Sequence, residues 1–186
     1  MPNTQPPIDS RSVVEFVLAQ AREHGAVPVY PIGCVSQGPG GVELAEMGDM
    51  AVAGARGFSD DGRPVASAGL MRRALEYARI FDLPVIDHCE EPTLVAGGVV
   101  HEGRSRRGWA SLGGRASPRT SWCSATSCSR STRAARVHIA HLSTGRAADL
   151  VRRAKGSEDP RDLRGDAASS RADARGGRRL RHATRR

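Results

Sequence analysis

Apolar residues recur at helical spacing in several stretches of the chain. From Ser10 to Gly25 they return every three or four positions, which predicts a helix with Ser10 as its N-cap and Gly25 as its end. The same spacing over 67–82 predicts a second helix, and a weaker pattern over 42–55 favours a third. Each of these helices has an apolar face that must pack against another layer.

Short apolar runs lie between the predicted helices. Residues 26–35, 55–59 and 83–87 are predicted strands, and 135–155 reads as a strand, a turn and an amphipathic helix. Strands that alternate with helices through short connections predict parallel pairing, and therefore an α/β protein. An open doubly wound sheet and a (β/α) barrel fit this pattern equally well.

Two segments have no periodicity. Residues 103–134 and 156–186 are rich in Arg, Ser and Gly, so we expect an irregular segment and a disordered basic tail. The predicted organisation is therefore an α/β unit over 1–102, the irregular segment over 103–134, a strand plus helix over 135–155, and the tail over 156–186.

Charge follows the same division. Residues 1–103 contain 7 Arg, no Lys and 14 acidic residues, for a net charge of −7. Residues 104–186 contain 20 Arg, one Lys and 6 acidic residues, for a net charge of +15. The basic half suggests nucleic-acid binding through the tail as one alternative. Aromatic residues that would stack on bases are scarce, because only Trp109 and Trp122 follow position 81.

Targeting signals and cysteine spacing indicate which cellular compartment to expect for the protein. No apolar run approaches the roughly 20 residues that a bilayer requires. The first ten residues, MPNTQPPIDS, lack the pattern of a signal peptide, so we expect a cytoplasmic protein without a membrane partner. The four cysteines include no CxxC pair, and we expect free thiols.

Polar side chains cluster where three predicted strands end. Asp60 and Asp61 follow one strand, residues 87–91 (DHCEE) end the next, and His138 and His141 belong to the last. In parallel α/β folds ligands bind at this edge, and His nitrogen with Asp oxygen suits zinc. Taken singly, an Asp-Gly pair also fits a solvated turn, and a lone histidine fits a hydrogen-bonded structural role.

The spacing of the two histidines separates them. His138 and His141 are an odd number of residues apart, so they face opposite sides of a strand. His141, at the strand end, is the better candidate ligand, and His138 is expected to pack against a helix. Asp87 also has a structural alternative.

Four motifs then carry a family resemblance. MPNT, FSDDG, DHCE and HIAHLST, in this order and spacing, resemble the bacterial dihydroorotases of the amidohydrolase superfamily. The resemblance covers 1–102 almost continuously and 135–155 again. It implies part of a (β/α) barrel with one or two zinc ions at the strand ends. The implied reaction is the reversible conversion of N-carbamoyl-L-aspartate to L-dihydroorotate in pyrimidine biosynthesis.

The resemblance also implies roles for individual residues. Asn3 matches a substrate-binding asparagine, Asp61 a metal-bridging carboxylate, and His88 and His141 ligands of the second metal. Some relatives use a carboxylated lysine as the bridge, but the one lysine here, Lys155, ends a helix. Asp60 is expected to form hydrogen bonds within its own loop.

Other parts of the family pattern are missing from this chain. The family's HxH pair precedes MPNT, its catalytic aspartate follows the last matching segment, and both are absent. We therefore expect a truncated member with little or no activity by itself, and no catalytic residue is assigned. Residues 104–134 and the tail are unlike the family, which suggests the hypothesis of a reading frame that shifted, returned and shifted again.

Several alternatives stay open at this point. Within the same reaction class, the chain could be an allantoinase-like or dihydropyrimidinase-like cyclic amidohydrolase. A noncatalytic dihydroorotase-like subunit that pairs with a carbamoyltransferase is a binding-protein alternative, and a homo-oligomer is a further arrangement.

Overall fold

The computed structural model describes residues 1–90, 100–101, 113–114 and 135–156. Its helices are α1 (Arg11–His24), α2 (Met47–Ala53), α3 (Ala68–Ala78), which continues into a 3₁₀ turn (Arg79–Phe81), and α4 (Gly145–Gly156). Its strands are β1 (Val85–Asp87), β2 (Val100–His101), β3 (Gly113–Gly114) and β4 (Val137–Ile139). Apart from β3 and Gly156, the predicted irregular segment 103–134 and the predicted basic tail 156–186 lie outside the described residues.

Four extended segments pair side by side in parallel and are called the parallel row below. They are the segment at Gly33, the segment at Phe58, β1 and β4. Strand β1 pairs in parallel with β4, with Val85 opposite Val137, and Phe58 forms parallel bridges to Val85 on one side and to Gly33 on the other. The row is continuous, because Ile86 N donates to Phe58 O at 2.7 Å. The segments therefore lie side by side in chain order, and their carboxyl ends meet at one edge. Strands β2 and β3 form a separate parallel pair.

The two strongest helix predictions are confirmed, because α1 and α3 lie within 10–25 and 67–82. Ser10 occupies the N-cap position of α1, but its side chain does not cap the helix and instead contacts Ser12 Oγ at 3.2 Å. Ser67 does cap α3, since its Oγ accepts a hydrogen bond from Leu70 N at 3.2 Å. The predicted α/β class is confirmed.

The predicted helix over 42–55 is shorter than its pattern. Helix α2 begins only at Met47, because the residues before it are extended and Leu44 forms an antiparallel bridge to Ser36. Gly54 ends α2 at φ 112°, a left-handed conformation that glycine adopts without steric cost. Tertiary pairing has therefore overridden local helix propensity at the start of this segment.

The predicted strand over 26–35 pairs only near its end. Within it, Gly33 alone forms a parallel bridge, while Val27 and Tyr30 have 69% and 66% of their surface exposed. Pro28 and Pro31 lack the N–H groups that a sheet ladder needs. Backbone pairing to the next segment therefore begins at the carbonyl of Pro31, which accepts a hydrogen bond from Arg56 N at 2.9 Å.

The core lies between the parallel row and the helices. The backbone at Gly33 packs closely against α2, because an added Cβ would lie 2.8 Å from Met50 Sδ. Among the helices that the structure describes, none combines the length and apolar character needed to cross a lipid bilayer. The largest fully buried side chains are Phe58, Met47, Met50, Leu70, Met71, Leu75, Ile139, Val14, Val35, Val85 and Val137.

Candidate metal centre

Three side chains converge at the carboxyl edge of the parallel row. His88 Nδ1 lies 3.0 Å from His141 Nε2 and 3.4 Å from Asp61 Oδ1, and His141 Nε2 lies 3.1 Å from the same Asp61 oxygen. The imidazole rings meet edge to face, with centroids 4.6 Å apart and planes at 73°. Two nitrogens and one oxygen therefore form a small triangle. The structure brings together the three residues that the sequence analysis named as metal ligands.

The triangle has donor atoms and dimensions that could hold a metal ion, and zinc provides a reference geometry. Ligand bonds of about 2.0–2.1 Å in tetrahedral geometry place neighbouring ligand atoms roughly 3.3–3.4 Å apart. The three observed separations, 3.0, 3.1 and 3.4 Å, are close to this value. A single cation at the centre of the triangle would contact all three atoms. His nitrogen with carboxylate oxygen is also a donor set that zinc accepts.

Asp61 reaches the triangle from a tight turn after the Phe58 segment. Arg63 N donates to Asp60 O at 2.8 Å and closes the turn, while Gly62 adopts φ 88°. Glycine tolerates this left-handed conformation, which a residue with a Cβ would resist. In addition, Asp61 N donates to Ser59 Oγ at 3.1 Å. The local sequence SDDGR thus determines where the Asp61 carboxylate points.

Asp60 turns into the protein, away from the triangle. Only 3% of its surface is exposed, and its Oδ1 accepts hydrogen bonds from Val35 N at 2.8 Å and Ser36 N at 3.1 Å. Ser36 Oγ donates to Asp60 Oδ2 at 2.5 Å. The prediction that Asp60 bonds within its own loop is wrong, because its side-chain partners belong to the neighbouring segment of the row. Asp60 therefore ties the turn to that segment.

Burial raises the pKa of two groups beneath the carboxyl edge, the Asp60 carboxyl and the Cys34 thiol. Desolvation raises the pKa of the Asp60 carboxyl above its usual range, although the hydrogen bonds from Ser36 and Val35 oppose the shift. Burial also raises the pKa of the Cys34 thiol to about 12, with the nearby Asp60 carboxylate as a further cause. Cys34 is therefore a neutral thiol at physiological pH and offers no thiolate for metal binding or nucleophilic attack.

The two histidines follow the ends of β1 and β4. Ala140 N donates to Asp87 O at 3.1 Å, which fastens the two strand ends together and places His88 beside His141. His141 adopts φ 34°, a left-handed conformation uncommon outside glycine. Uncommon backbone conformations of this kind are frequent at functional sites, so the conformation of His141 agrees with its place in the candidate metal centre.

Neighbouring residues have separate roles at this edge. Asp87 is buried and accepts a hydrogen bond from Cys89 Sγ at 3.1 Å, in agreement with its structural alternative. His138 lies inside β4 and is half-buried, outside the triangle; its packing against a helix stays a prediction. The other ring nitrogen of His88, Nε2, lies 3.8 Å from Glu90 Oε1.

A cleft of about 400 Å³ opens beside Asp61. Residues of the N-terminal segment, of the loop at 38–39 and of the turn at 61–63 line it, including Asn3 and Arg63. The amide of Asn3 faces the turn, because a Cβ added at Gly62 would lie 4.0 Å from Asn3 Nδ2. Asn3 thus lies beside the triangle without contributing to it. Sequence reasoning missed Arg63, whose position directly after the DDG turn was the available signal.

Comparison with known families gives an extended match. Residues 1–146 match the family model described as dihydro-orotase-like. A dihydroorotase of Pelotomaculum thermopropionicum is 48% identical over 155 residues, which are 83% of this chain and 36% of the relative. Dihydroorotases of Solibacter usitatus and Acetivibrio thermocellus are 44% and 42% identical, over 81% and 83% of the chain and 35% and 36% of the relatives. The chain thus spans little more than a third of the length of these relatives.

Comparison with solved structures extends the likeness to the fold. An L-hydantoinase (dihydropyrimidinase) from Arthrobacter aurescens aligns with a TM-score of 0.70 and 17% sequence identity. The alignment covers 89% of this chain and 38% of the hydantoinase. At this level of identity the similarity concerns the arrangement of strands and helices.

Proposed function

Because this chain belongs to the dihydro-orotase-like family, we propose that it carries part of the active site of a zinc-dependent dihydroorotase. The proposed reaction is the reversible conversion of N-carbamoyl-L-aspartate to L-dihydroorotate, a cyclisation through an amide bond. The observation that carries this proposal is the convergence of Asp61 Oδ1, His88 Nδ1 and His141 Nε2 within 3.0–3.4 Å of one another. The relatives at 42–48% identity are named dihydroorotases, which supports the same conclusion.

We further propose that 1–102 and 135–155 are parts of one (β/α) barrel. Four parallel segments in unbroken chain order support this, because successive barrel strands are neighbours whereas a doubly wound sheet reverses its order at a switch point. The pairing of β1 with β4 joins the two ranges into one unit. The fold likeness to the hydantoinase, over 89% of the chain, agrees with this arrangement.

Each residue of the site has a distinct task in this proposal. Asp61, His88 and His141 would hold the metal, and Asp61 is the group available to bridge to a second ion. When bound, zinc would supply Lewis-acid polarisation of the substrate carbonyl and lower the pKa of a water molecule. Glu90 faces the outer nitrogen of His88 and would keep that ring oriented. Asn3, on the wall of the cleft, would bind and orient the substrate.

The choice among cyclic amidohydrolases rests on the sequence relatives. The dihydroorotases share 42–48% of their aligned residues with this chain, whereas the hydantoinase shares 17%. A carboxylate bridge at Asp61 also fits the donors available, since the chain contains a single lysine, Lys155, on α4. Dihydroorotase chemistry therefore accounts for more of the residues than hydantoinase chemistry does.

Metal and ligand titrations of the purified full chain test this function. After removal of metal, zinc should bind with a defined stoichiometry, measured by competition with a chromophoric chelator. The zinc-loaded chain should then bind L-dihydroorotate, measured by calorimetry. Asp61→Asn should weaken zinc binding, because a neutral amide oxygen replaces the carboxylate. Asp49→Asn is the matched control, since Asp49 is exposed on α2 away from the site.

The outcomes separate the parts of the proposal. Equal zinc affinity in wild type and Asp61→Asn would remove the metal site, and failure of the zinc-loaded chain to bind L-dihydroorotate would remove the substrate assignment. The prediction of little or no activity for this chain by itself stays a prediction. It is checked by following N-carbamoyl-L-aspartate turnover in the same preparation.

A further inference from the structure

A glycine-rich loop forms one wall of the cleft. Residues 37–41, called the glycine loop below, follow Ser36, and Gly38 and Pro39 of this loop line the cleft. Gly38 and Gly41 adopt left-handed backbone, at φ 56° and 70°. Within the described part of the chain, a Cβ added at either glycine would meet no atom within 4 Å beyond its chain neighbours. Side-chain packing therefore contributes little here, and hydrogen bonds decide how often the loop opens.

Ser36 joins the glycine loop to the turn that carries Asp61. Its hydroxyl accepts a hydrogen bond from Gly41 N at 2.8 Å and donates one to Asp60 Oδ2 at 2.5 Å. Its own N–H donates to Asp60 Oδ1 at 3.1 Å. Ser36 is fully buried, so water does not compete for these bonds. Because Asp60 and Asp61 are consecutive residues, the hydrogen bonds of Ser36 connect the loop to a proposed metal ligand.

Other hydrogen bonds of the glycine loop restrain it less. Gly38 N donates to Asp9 Oδ2 at 3.0 Å at the exposed surface, and Gly40 N donates to Gln37 O at 2.9 Å within the loop itself. A bond at the surface is readily exchanged for one to water, and a bond within the loop does not fasten it to the turn. The buried hydroxyl of Ser36 is therefore the contact best placed to transmit a change between the turn and the loop.

We propose that Ser36 is a positioning residue that couples the metal site to the wall of the cleft, so that a divalent cation bound by Asp61 makes the glycine loop open less often. The inference rests on the proposed function, because the cation is the one proposed for the triangle. A cation would fix Asp61, and with it the turn from which Asp60 presents both carboxylate oxygens to Ser36. The coupling is reciprocal, so a closed loop should also raise the affinity for the cation.

Amide hydrogen exchange with and without zinc tests the coupling. Exchange in the full chain is followed by two-dimensional NMR, first after removal of metal and then with zinc alone. In wild type, zinc should slow the exchange of the Gly41 N–H by about two- to tenfold, the factor that corresponds to one hydrogen bond. The Gly25 N–H, which donates to Ala21 O at the end of α1, is the internal control and should not respond.

Three variants make the result specific to the hydroxyl. Ser36→Ala should abolish the response of the Gly41 N–H and weaken zinc binding by about two- to tenfold. Ser36→Thr keeps a hydroxyl and should restore both properties. Ser67→Ala removes a hydroxyl that caps α3 outside the cleft, so it lowers stability without touching the coupling. It should keep the zinc affinity and the loop response of wild type.

Each outcome bears on a separate part of the proposal. If wild type binds zinc but exchange at Gly41 stays the same, or if Ser36→Ala responds like wild type, the coupling is overturned and the proposed function stands. A Ser36→Thr variant as unresponsive as Ser36→Ala, or an equal loss of response in Ser67→Ala, would also overturn it, because the hydroxyl of Ser36 would not be the cause. If wild type binds no zinc, the proposed metal site is overturned and this inference falls with it.

Discussion

The middle and the carboxyl edge of the parallel row lie a few residues apart on the same segments. In the middle, Phe58 and Val85 are fully buried between the row and the helices. At the edge, the side chains of His88, Asp61 and His141 keep 15%, 23% and 43% of their surface exposed. The middle binds only other parts of the chain, whereas the edge is open to solutes. We therefore expect stability to depend mainly on residues of the middle, and the proposed metal binding mainly on residues of the edge.

The largest expected effect is a loss of stability when a buried side chain in the middle of the row is removed. Phe58→Ala should lower the free energy of unfolding by about 3–5 kcal/mol, because it removes a fully buried aromatic side chain and leaves a cavity. Urea unfolding followed by circular dichroism measures the loss. Phe16→Ala is the matched control, since Phe16 is 62% exposed on α1 and should change stability by less than about 0.5 kcal/mol. Equal losses in the two variants would contradict the burial assigned to Phe58.

The next largest expected effect is a loss of zinc affinity when a proposed ligand at the carboxyl edge is removed. His88→Ala should weaken zinc binding by about 100-fold or more, because removal of even an indirect partner of a metal ligand costs 10–100-fold. Unfolding of the metal-free protein should change by less than about 1 kcal/mol, since His88 is part of no apolar cluster. His24→Ala, at the exposed end of α1, is the control. A variant that keeps its zinc affinity would show that the triangle is not a metal site.

Asp60 connects the two regions, so its replacement should affect both. Asp60→Ala leaves the buried N–H groups of Val35 and Ser36 without their acceptor, which should cost about 1–3 kcal/mol of stability. It also frees the turn that carries Asp61, so zinc affinity should fall. Asp60→Asn keeps an oxygen acceptor and should restore most of both properties. If Asp60→Ala lowers stability without any change in zinc affinity, Asp60 supports the core but does not position Asp61.

The smallest expected effect is a pH dependence beneath the edge. Burial raises the pKa of Cys34 from its ordinary value of 9.0 to about 12, so the folded protein keeps a proton that the unfolded chain loses. The stability contributed by this thiol is complete below pH 9 and declines between pH 9 and about 12, by at most about 1.4 kcal/mol per pH unit.

The comparison of wild type with Cys34→Ala isolates that contribution. Chemical unfolding at pH 8 to 10 should show wild type losing about 1.4 kcal/mol more than the variant across this range. Parallel stability curves for the two proteins would mean that the thiol is not desolvated as the structure indicates.

Hydrophobic periodicity predicted the helices that have a clear apolar face and the strands that lie in short apolar runs. Helices α1 and α3 follow their apolar stripes closely, and β1 and β4 lie inside short apolar runs. The strand over 26–35 and the start of the helix over 42–55 were predicted too long. Their outcome depends on the prolines and on the bridge between Ser36 and Leu44, and tertiary pairing of that kind leaves no periodic signal.

The three residues that converge at the candidate site were named from the sequence, whereas their geometry could not be predicted from it. The motifs and the strand-end rule named Asp61, His88 and His141, because polar residues after parallel strands meet at one edge. The distances, the left-handed backbone of His141 and the partners of Asp60 depend on how the segments align across the row. A single sequence does not encode that alignment in any local pattern.

The sequence distances within the triangle have a consequence for assembly. His88 and His141 are 53 residues apart and Asp61 and His141 are 80 apart, yet their ligand atoms lie within 3.1 Å. Contacts of such long range carry a loop-closure cost and form slowly during folding. A metal ion would therefore find its three donors together only after distant parts of the chain have met. Zinc uptake, followed in time during refolding, would report when that long-range order is complete.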